Sequence, residues 1–182
     1  MCQFLSAVVL RNGDVLTHPM LDSHTDLVTY YKLPDTLAHH QHFAKVELVP
    51  VDWTDAATWT FTLDKETAPS WWDDVKASVE ETMRRRARAM ILLSGVHRLI
   101  VDGCWIVGRT AQVIDVRAGR IIHVSGSAQM SNVGGTARVF NVGDSARVFN
   151  VGGSVRVFDV SDTAFLDASA RAHLVISSPK NP

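Results

Sequence analysis

Residues 134–160 read GGTARVFNV GDSARVFNV GGSVRVFDV, three consecutive nine-residue units with one shared pattern. Each nine-residue unit begins with a pair of small residues. Ser or Thr, Ala or Val, Arg, a pair of apolar residues, Asn or Asp, and Val then follow in that order. A unit this short cannot bury its apolar side alone, so it is stabilised by stacking on its neighbours. The repeat predicts a parallel β-solenoid, with Gly at the corners and Ala and Val filling a narrow interior.

The pattern extends, with more variation, from Gly108 to Ser177 and gives eight units. Two of them, at 117–124 and 170–177, are one residue short. We expect two units per coil, which gives about four coils stacked at about 4.8 Å. A right-handed and a left-handed solenoid both fit this pattern.

A β-hairpin is predicted at the start of the chain. Residues 2–11 are apolar and β-prone, and the extended pattern resumes at 14–18 after Asn12 and Gly13. Asn-Gly between two such runs indicates a hairpin with a type I′ turn.

The following residues predict two helices and two further strands. Asp22 or Ser23 is a suitable cap for a short helix that ends near Lys32, and two extended segments follow at 43–51 and 58–63. We then expect a long helix over about 70–93, with one apolar stripe along it. The predicted fold is an α+β domain of order ββαββα, an antiparallel sheet with both helices on one face.

Two features are expected on the long helix. Its apolar stripe consists of Val75, Val79, Met83 and Ala87. Ion pairs at i, i+4 are expected for Glu80 with Arg84 and for Glu81 with Arg85.

The composition limits the setting and the partners. We expect domains at 1–100 (α+β) and 101–182 (β-solenoid with a C-terminal tail). The formal net charge of −1 favours neither nucleic acid nor an anionic membrane, and no apolar run is long enough to cross a membrane. Cys2 and Cys104 are too few for a disulfide framework. A cytoplasmic protein without a cofactor is therefore expected.

Two functions of solenoid repeats are excluded by the residues present. Calcium-binding nonapeptide repeats need Gly and Asp at the fourth and sixth positions, where this chain has Ala137 and Val139. DNA mimicry needs a dense acidic surface, but residues 108–177 contain seven Arg and five Asp.

The repeat nevertheless presents candidate binding residues on its outer surface. Arg recurs at one position of the unit and Phe two residues later. The Arg residues can form a phosphate-binding stripe or, as we favour, a solvated edge partly neutralised by Asp144 and Asp159. Outward-facing Phe residues would give an apolar surface for oligomerisation. The candidates are Arg138, Arg147, Arg156, Phe140, Phe149 and Phe158.

Cys2 is the candidate nucleophile. Removal of Met1 would place its thiol beside a free α-amine that can act as a general base, and Asp22 and His24 can complete a Cys-His-Asp set. The opening MC before a hairpin resembles the N-terminal-nucleophile hydrolases, such as choloylglycine hydrolases and class II glutamine amidotransferases, which implies a hydrolase or amidase. The resemblance covers about twenty residues, and the chain departs from it at Gln3, where the amidotransferases have Gly.

Two smaller clusters have alternative interpretations. His39, His40 and His42, with His18 or His24, can bind a transition metal, but adjacent loop histidines are more often solvent-exposed, and no metal site is predicted. The run Arg84-Arg85-Arg86 suits the C-terminal end of a helix dipole, or an RNA or anion site.

Several segments together resemble a family of small proteins encoded by bacteriophages and prophages. The matching segments are MCQF, NGDV, DSHTDL, FAKVELVP, TAPSWW and the repeat tail. The resemblance implies a bacterial cytoplasmic setting. We expect a non-enzymatic binding or assembly protein. Its α/β domain would recognise a host partner or ligand, for example in counter-defence. Its solenoid would be a scaffold or the surface of a homodimer. A Cys2 hydrolase is the alternative.

Overall fold

The computed structural model describes residues 5–34, 41–63, 68–168 and 173–174. They belong to two compact units, Met1–Ala89 and Met90–Pro182. The first contains an antiparallel sheet and two helices, and the second is a parallel β-solenoid. The α+β domain and the solenoid expected from the sequence are both present, and the second unit begins ahead of residue 101.

The first unit has the predicted order ββαββα. The sheet order is β2-β1-β3-β4, and every neighbouring pair is antiparallel. The elements are β1 (Leu5–Leu10), β2 (Val15–Leu16), α1 (His24–Tyr30), β3 (Phe43–Val49), β4 (Thr60–Leu63) and α2 (Trp72–Ala89).

The hairpin forms where predicted, with a different turn. The amide of Gly13 donates to the carbonyl of Leu10, and Leu10 donates to Asp14. Gly13 has a φ of 87° and Asn12 is not in the left-handed region. The loop is therefore a three-residue turn that ends on a left-handed glycine, the second common hairpin geometry, rather than type I′.

The two helices cover opposite faces of this sheet, so the prediction that both lie on one face is wrong. Leu27 of α1 packs against Val8 of β1. Trp72, the first residue of α2, stacks on Phe61 at 6.2 Å between ring centroids, and the strand register places Phe61 on the face opposite Val8. The continuous apolar run of β1 is typical of a strand buried on both faces.

Helix α2 buries most of the predicted stripe. Val79, Met83 and Ala87 are buried and Val75 is half-buried. The predicted pair of Glu80 and Arg84 is present at 2.7 Å.

The second predicted ion pair on α2 is wrong. Glu81 contacts Arg88, at 2.7 Å, instead of Arg85. The partner is one turn further along the helix, where the long Arg side chain still reaches the Glu81 carboxylate.

Within the described residues, no helix is both long and apolar enough to span a membrane.

The second unit consists of two parallel sheets, which make about five turns. One sheet contains the odd-numbered strands β5 to β15 and the other the even-numbered strands β6 to β14. The strands are β5 (Ile91–Leu92), β6 (Val96–His97), β7 (Cys104–Val107), β8 (Gln112–Val116), β9 (Arg120–Val124), β10 (Gln129–Val133), β11 (Arg138–Val142), β12 (Arg147–Val151), β13 (Arg156–Val160), β14 (Phe165–Ala168) and β15 (His173–Leu174).

The solenoid starts earlier than the sequence predicts, and helix α2 is correspondingly shorter. Ile91 and Leu92, expected in the last turn of α2, form β5 and pair with Ile106 and Val107 of β7. The solenoid consequently has about five turns rather than the four expected.

The strand register places residues at the same position of successive coils directly beside one another. Arg138 pairs with Arg156 on one sheet, and Gln129 pairs with Arg147 on the other, eighteen residues apart in both cases. The step from Gln112 to Gln129 is one residue shorter, and it contains the short segment 117–124.

Side chains alternate between the interior and the outer surface of the solenoid. In β11, Val139 and Val142 are fully buried, Arg138 is exposed and Phe140 is half-buried. Corner residues such as Ala137 are also fully buried. The interior is thus a stack of small apolar side chains, and the outer surface is available for function.

Candidate functional site

Two Arg–Phe surfaces lie on the outside of the solenoid, one on each sheet. The first surface is on the odd-numbered sheet and consists of Arg120, Arg138, Phe140, Arg156 and Phe158. The second is on the even-numbered sheet and consists of Arg147, Phe149 and Phe165. Because the register repeats every second strand, the six residues proposed from the sequence divide between the two sheets.

The first surface combines stacked rings with guanidinium groups. The rings of Phe140 and Phe158 stack at 4.8 Å with an interplanar angle of 12°. The guanidinium of Arg120 lies 5.3 Å from the centroid of Phe140, within range of a cation–π contact. The neighbouring Arg138 and Arg156 are exposed and in direct register.

Three of the candidate arginines carry charge that the described part of the chain does not neutralise. In it, no carboxylate lies within 4.0 Å of Arg138, Arg147 or Arg156. The Asp144 carboxylate, expected to neutralise this edge, instead accepts a hydrogen bond of 2.8 Å from the amide of Gly126. Asp159 is in register with Asn141. The outer surface therefore offers guanidinium groups to an anionic partner.

The second surface forms a depression instead of a flat stack. Phe149 and Phe165 are 5.4 Å apart at their centroids and tilted by 46°. Arg147 is in register with Phe165. Together with Ser145 and Thr163 they line an open depression of about 400 Å³. A depression with one cation and two aromatic walls can hold an anionic group beside an apolar one.

Sequence reasoning missed two members of these surfaces. Phe165 occupies the position that has Arg in the preceding units, and it is 51% exposed. Arg120 lies in the short segment 117–124, where the alignment of units is ambiguous. Both can be identified from the strand register. It places Arg120 beside Arg138 and Phe165 beside Arg147, each in an adjacent coil.

The proposed catalytic residues are only partly placed by the structure. Cys2 lies outside the described residues. His24 is buried, and its Nε2 lies 3.0 Å from the carbonyl oxygen of Val46. The backbone carbonyl of Asp22 accepts a 2.8 Å hydrogen bond from the Ser6 hydroxyl. The Cys-His-Asp set stays a prediction.

The capping role of this segment is confirmed. Ser23 is the N-cap of α1, and its hydroxyl accepts a hydrogen bond from the amide of Asp26. This bond satisfies one of the free amides at the start of the helix.

Neither a metal site among the described residues nor a similar protein assigns a function to this chain. His39 and His40 lie outside the described residues, and the rest of the described chain holds no group of three His, Cys, Asp or Glu side chains suited to a metal. Comparison of the chain with protein-family models, curated proteins and solved structures finds no match. Function is therefore inferred from the two Arg–Phe surfaces.

Proposed function

We propose that this chain is a non-enzymatic binding protein of phage or prophage origin, acting in the bacterial cytoplasm. Its solenoid, with two nine-residue units per coil, is a rigid scaffold, and the first Arg–Phe surface binds an acidic partner protein of the host. The α/β unit recognises a second host partner or ligand, for example in counter-defence. The observation that carries the proposal is the exposed, in-register pair Arg138 and Arg156, with no carboxylate of the described residues within 4.0 Å of either.

The electrostatics of this pair favour an anionic partner. Like charges directly opposite each other on neighbouring strands are destabilising. A bound carboxylate relieves this repulsion, and a guanidinium can hold it through two parallel hydrogen bonds. Phe140 and Phe158 add the aromatic area that, with Arg, is enriched at protein interfaces.

The size and charge of the surface favour an acidic protein over nucleic acid. Strong binding of nucleic acid needs many phosphate contacts, whereas this surface contains three arginines and the whole chain has a net charge of −1. An acidic protein needs fewer cations, because the apolar rings contribute to the same interface.

A different partner is favoured over a second copy of the chain. A symmetric dimer places the same patch of both subunits together. Arg138 and Arg156 of the two copies would then approach one another, which is unfavourable. A homodimer is therefore an outcome that the test must be able to detect.

Loss of the two charges is expected to abolish partner binding. The protein is immobilised and used to capture partners from bacterial lysate, with Arg138→Gln/Arg156→Gln as the test variant. We expect the captured acidic protein to fall by about tenfold or more, because charge-assisted hydrogen bonds are lost. The same protein is expected to dissociate from the wild type as salt is raised.

The matched control is Arg85→Gln/Arg98→Gln, which removes two exposed charges outside both Arg–Phe surfaces. It should capture the same amount as the wild type. Equal capture by all three proteins, or equal loss in both variants, would contradict the proposal. Self-association that depends on Arg138 and Arg156 would replace it with the homodimer.

A further inference from the structure

The depression on the second Arg–Phe surface differs from the first surface in a way that indicates a specific ligand. The rings of the first surface stack nearly flat and cover each other. The rings of Phe149 and Phe165 are tilted and leave an open space beside them. Phe165 remains 51% exposed, so its ring is accessible to a ligand in this space.

We propose that this depression binds a peptide segment in which a carboxylate side chain neighbours an apolar one. It is separate from the first surface and extends the binding function to a second site on the other sheet.

The cationic end of the depression is set by Arg147. Its side chain is exposed, and no carboxylate among the described residues lies within 4.0 Å of it. Ser145 precedes Arg147 by two residues and Thr163 precedes Phe165 by two, so both hydroxyl-bearing residues line the depression toward the start of their strands. A carboxylate placed here would have a planar guanidinium on one side and a hydroxyl donor within the same depression.

The aromatic end favours an apolar side chain next to that carboxylate. Phe165 is in register with Arg147, and the Phe149 ring contacts the Phe165 ring diagonally. The exposed Asp167 follows Phe165 by two residues on β14. Its charge disfavours a ligand carboxylate at the aromatic end, so the ligand is oriented with its carboxylate toward Arg147.

The same features argue for a peptide carboxylate over a phosphate group. A phosphate is bound by several cations or by a cluster of backbone amides, and this depression has one guanidinium. The volume of about 400 Å³ lies within the range of small-ligand sites. It accommodates a pair of adjacent side chains, which a phosphate ion would leave largely unfilled.

The test uses defined peptides and the full-length protein. The probe is a dye-labelled five-residue peptide of alternating glutamate and leucine, and its glutamine–leucine counterpart lacks the charge. Binding is followed by fluorescence anisotropy for the wild type, for Arg147→Gln, for Phe165→Ser and for Arg98→Gln. The three substitutions leave the buried residues of the solenoid unchanged, and far-UV circular dichroism checks the folding of each variant.

We expect the glutamate peptide to bind the wild type at least about tenfold more tightly than the glutamine peptide. Arg147→Gln should remove that difference, and Phe165→Ser should weaken both peptides. Arg98→Gln, an exposed residue outside both Arg–Phe surfaces, should change the affinity by less than about twofold. If Phe165→Ser fails to fold, Arg147→Gln alone decides the result.

Three outcomes would overturn the proposal. The first is no binding of the glutamate peptide at concentrations up to about 1 mM. The second is an equal loss of affinity in Arg98→Gln and Arg147→Gln, which would indicate non-specific attraction. The third is displacement of the peptide by inorganic phosphate at a lower concentration than by acetate, which would indicate a phosphate site. Because none of these involves Arg156, failure here leaves the first Arg–Phe surface to be judged by its own experiment.

Discussion

Val139→Asp is expected to unfold the solenoid, whereas Arg138→Asp, one residue earlier, is expected to leave it folded. Val139 is fully buried and pairs with Ile121 and Val157 on the two neighbouring strands. A carboxylate at this position would lie among apolar side chains without a partner. Burial of an unpaired charge costs several kcal/mol or forces local unfolding.

The effect should extend beyond the mutated strand. A solenoid is stabilised by contacts between adjacent coils, so a defect at β11 disrupts the packing of the coils on both sides of it. We expect a loss of about 4 kcal/mol or more, a large share of the stability of a domain of this size. Urea unfolding monitored by far-UV circular dichroism measures it.

Arg138→Asp provides the comparison because its side chain points outward on the same strand. Its expected cost is within about 1 kcal/mol, the range of exposed surface substitutions. Equal destabilisation by the two changes, or a Val139→Asp protein with wild-type stability, would show that the assignment of interior and exterior is wrong.

Gly135→Ala is expected to have the second-largest effect. Gly135 has a φ of 62°, in the left-handed region that side chains rarely adopt. A Cβ atom there would overlap the carbonyl oxygen of Arg117 in the adjacent coil. Because the contact is with backbone, neither coil can relieve it by moving a side chain. We expect a loss of about 3 kcal/mol.

The contact, more than the backbone conformation, makes this position demanding. Asp144 in the next unit has a φ of 52° with its side chain in place. The segment beneath Gly135, at 117–124, is one of the two units that are a residue short, and the corner there is correspondingly tight. The carbonyl oxygen of Arg117 accepts a hydrogen bond from the amide of Thr136 in this corner. This bond fixes the direction of the carbonyl group.

Gly134→Ala is the matched control for this prediction. Gly134 has no atom within 4 Å of the position of an added Cβ, and its φ is not in the left-handed region. Its substitution should change the stability by less than about 1 kcal/mol. A thermal unfolding midpoint that falls equally in both variants would contradict the close approach of the two coils at Gly135.

The solenoid was predictable because its evidence is repeated in every strand. In the three units at 134–160 the Arg and Phe positions alternate with Val, so several strands indicate the same interior and exterior. The α+β order followed from local signals in the same way, namely turn residues and periodicity. The orientation of the Arg–Phe surfaces needed only that alternation and the period.

The remaining features depend on contacts between distant segments. Ile91 and Leu92 continue the apolar pattern of α2, but their strand partners are at Ile106 and Val107, outside any local window. Asp144 was expected beside an arginine, yet its partner is the amide of Gly126 in the adjacent coil. Phe165 was missed because it replaces Arg in the pattern, and only the register reveals its neighbour.

The coil geometry that places Arg138 in register with Arg156 underlies both Arg–Phe surfaces, and an engineered disulfide tests it. Neighbouring parallel strands place paired Cα atoms about 4.8 Å apart, within the range that a disulfide spans. The test variant is Arg138→Cys/Arg156→Cys, and the comparison is Arg138→Cys/Arg147→Cys, whose cysteines lie on different sheets. Each is oxidised mildly, digested, and searched by mass spectrometry for the linked peptides. We predict a 138–156 link and no 138–147 link; a 138–147 link, or equal linking in both variants, would contradict the coil geometry on which both Arg–Phe surfaces rest.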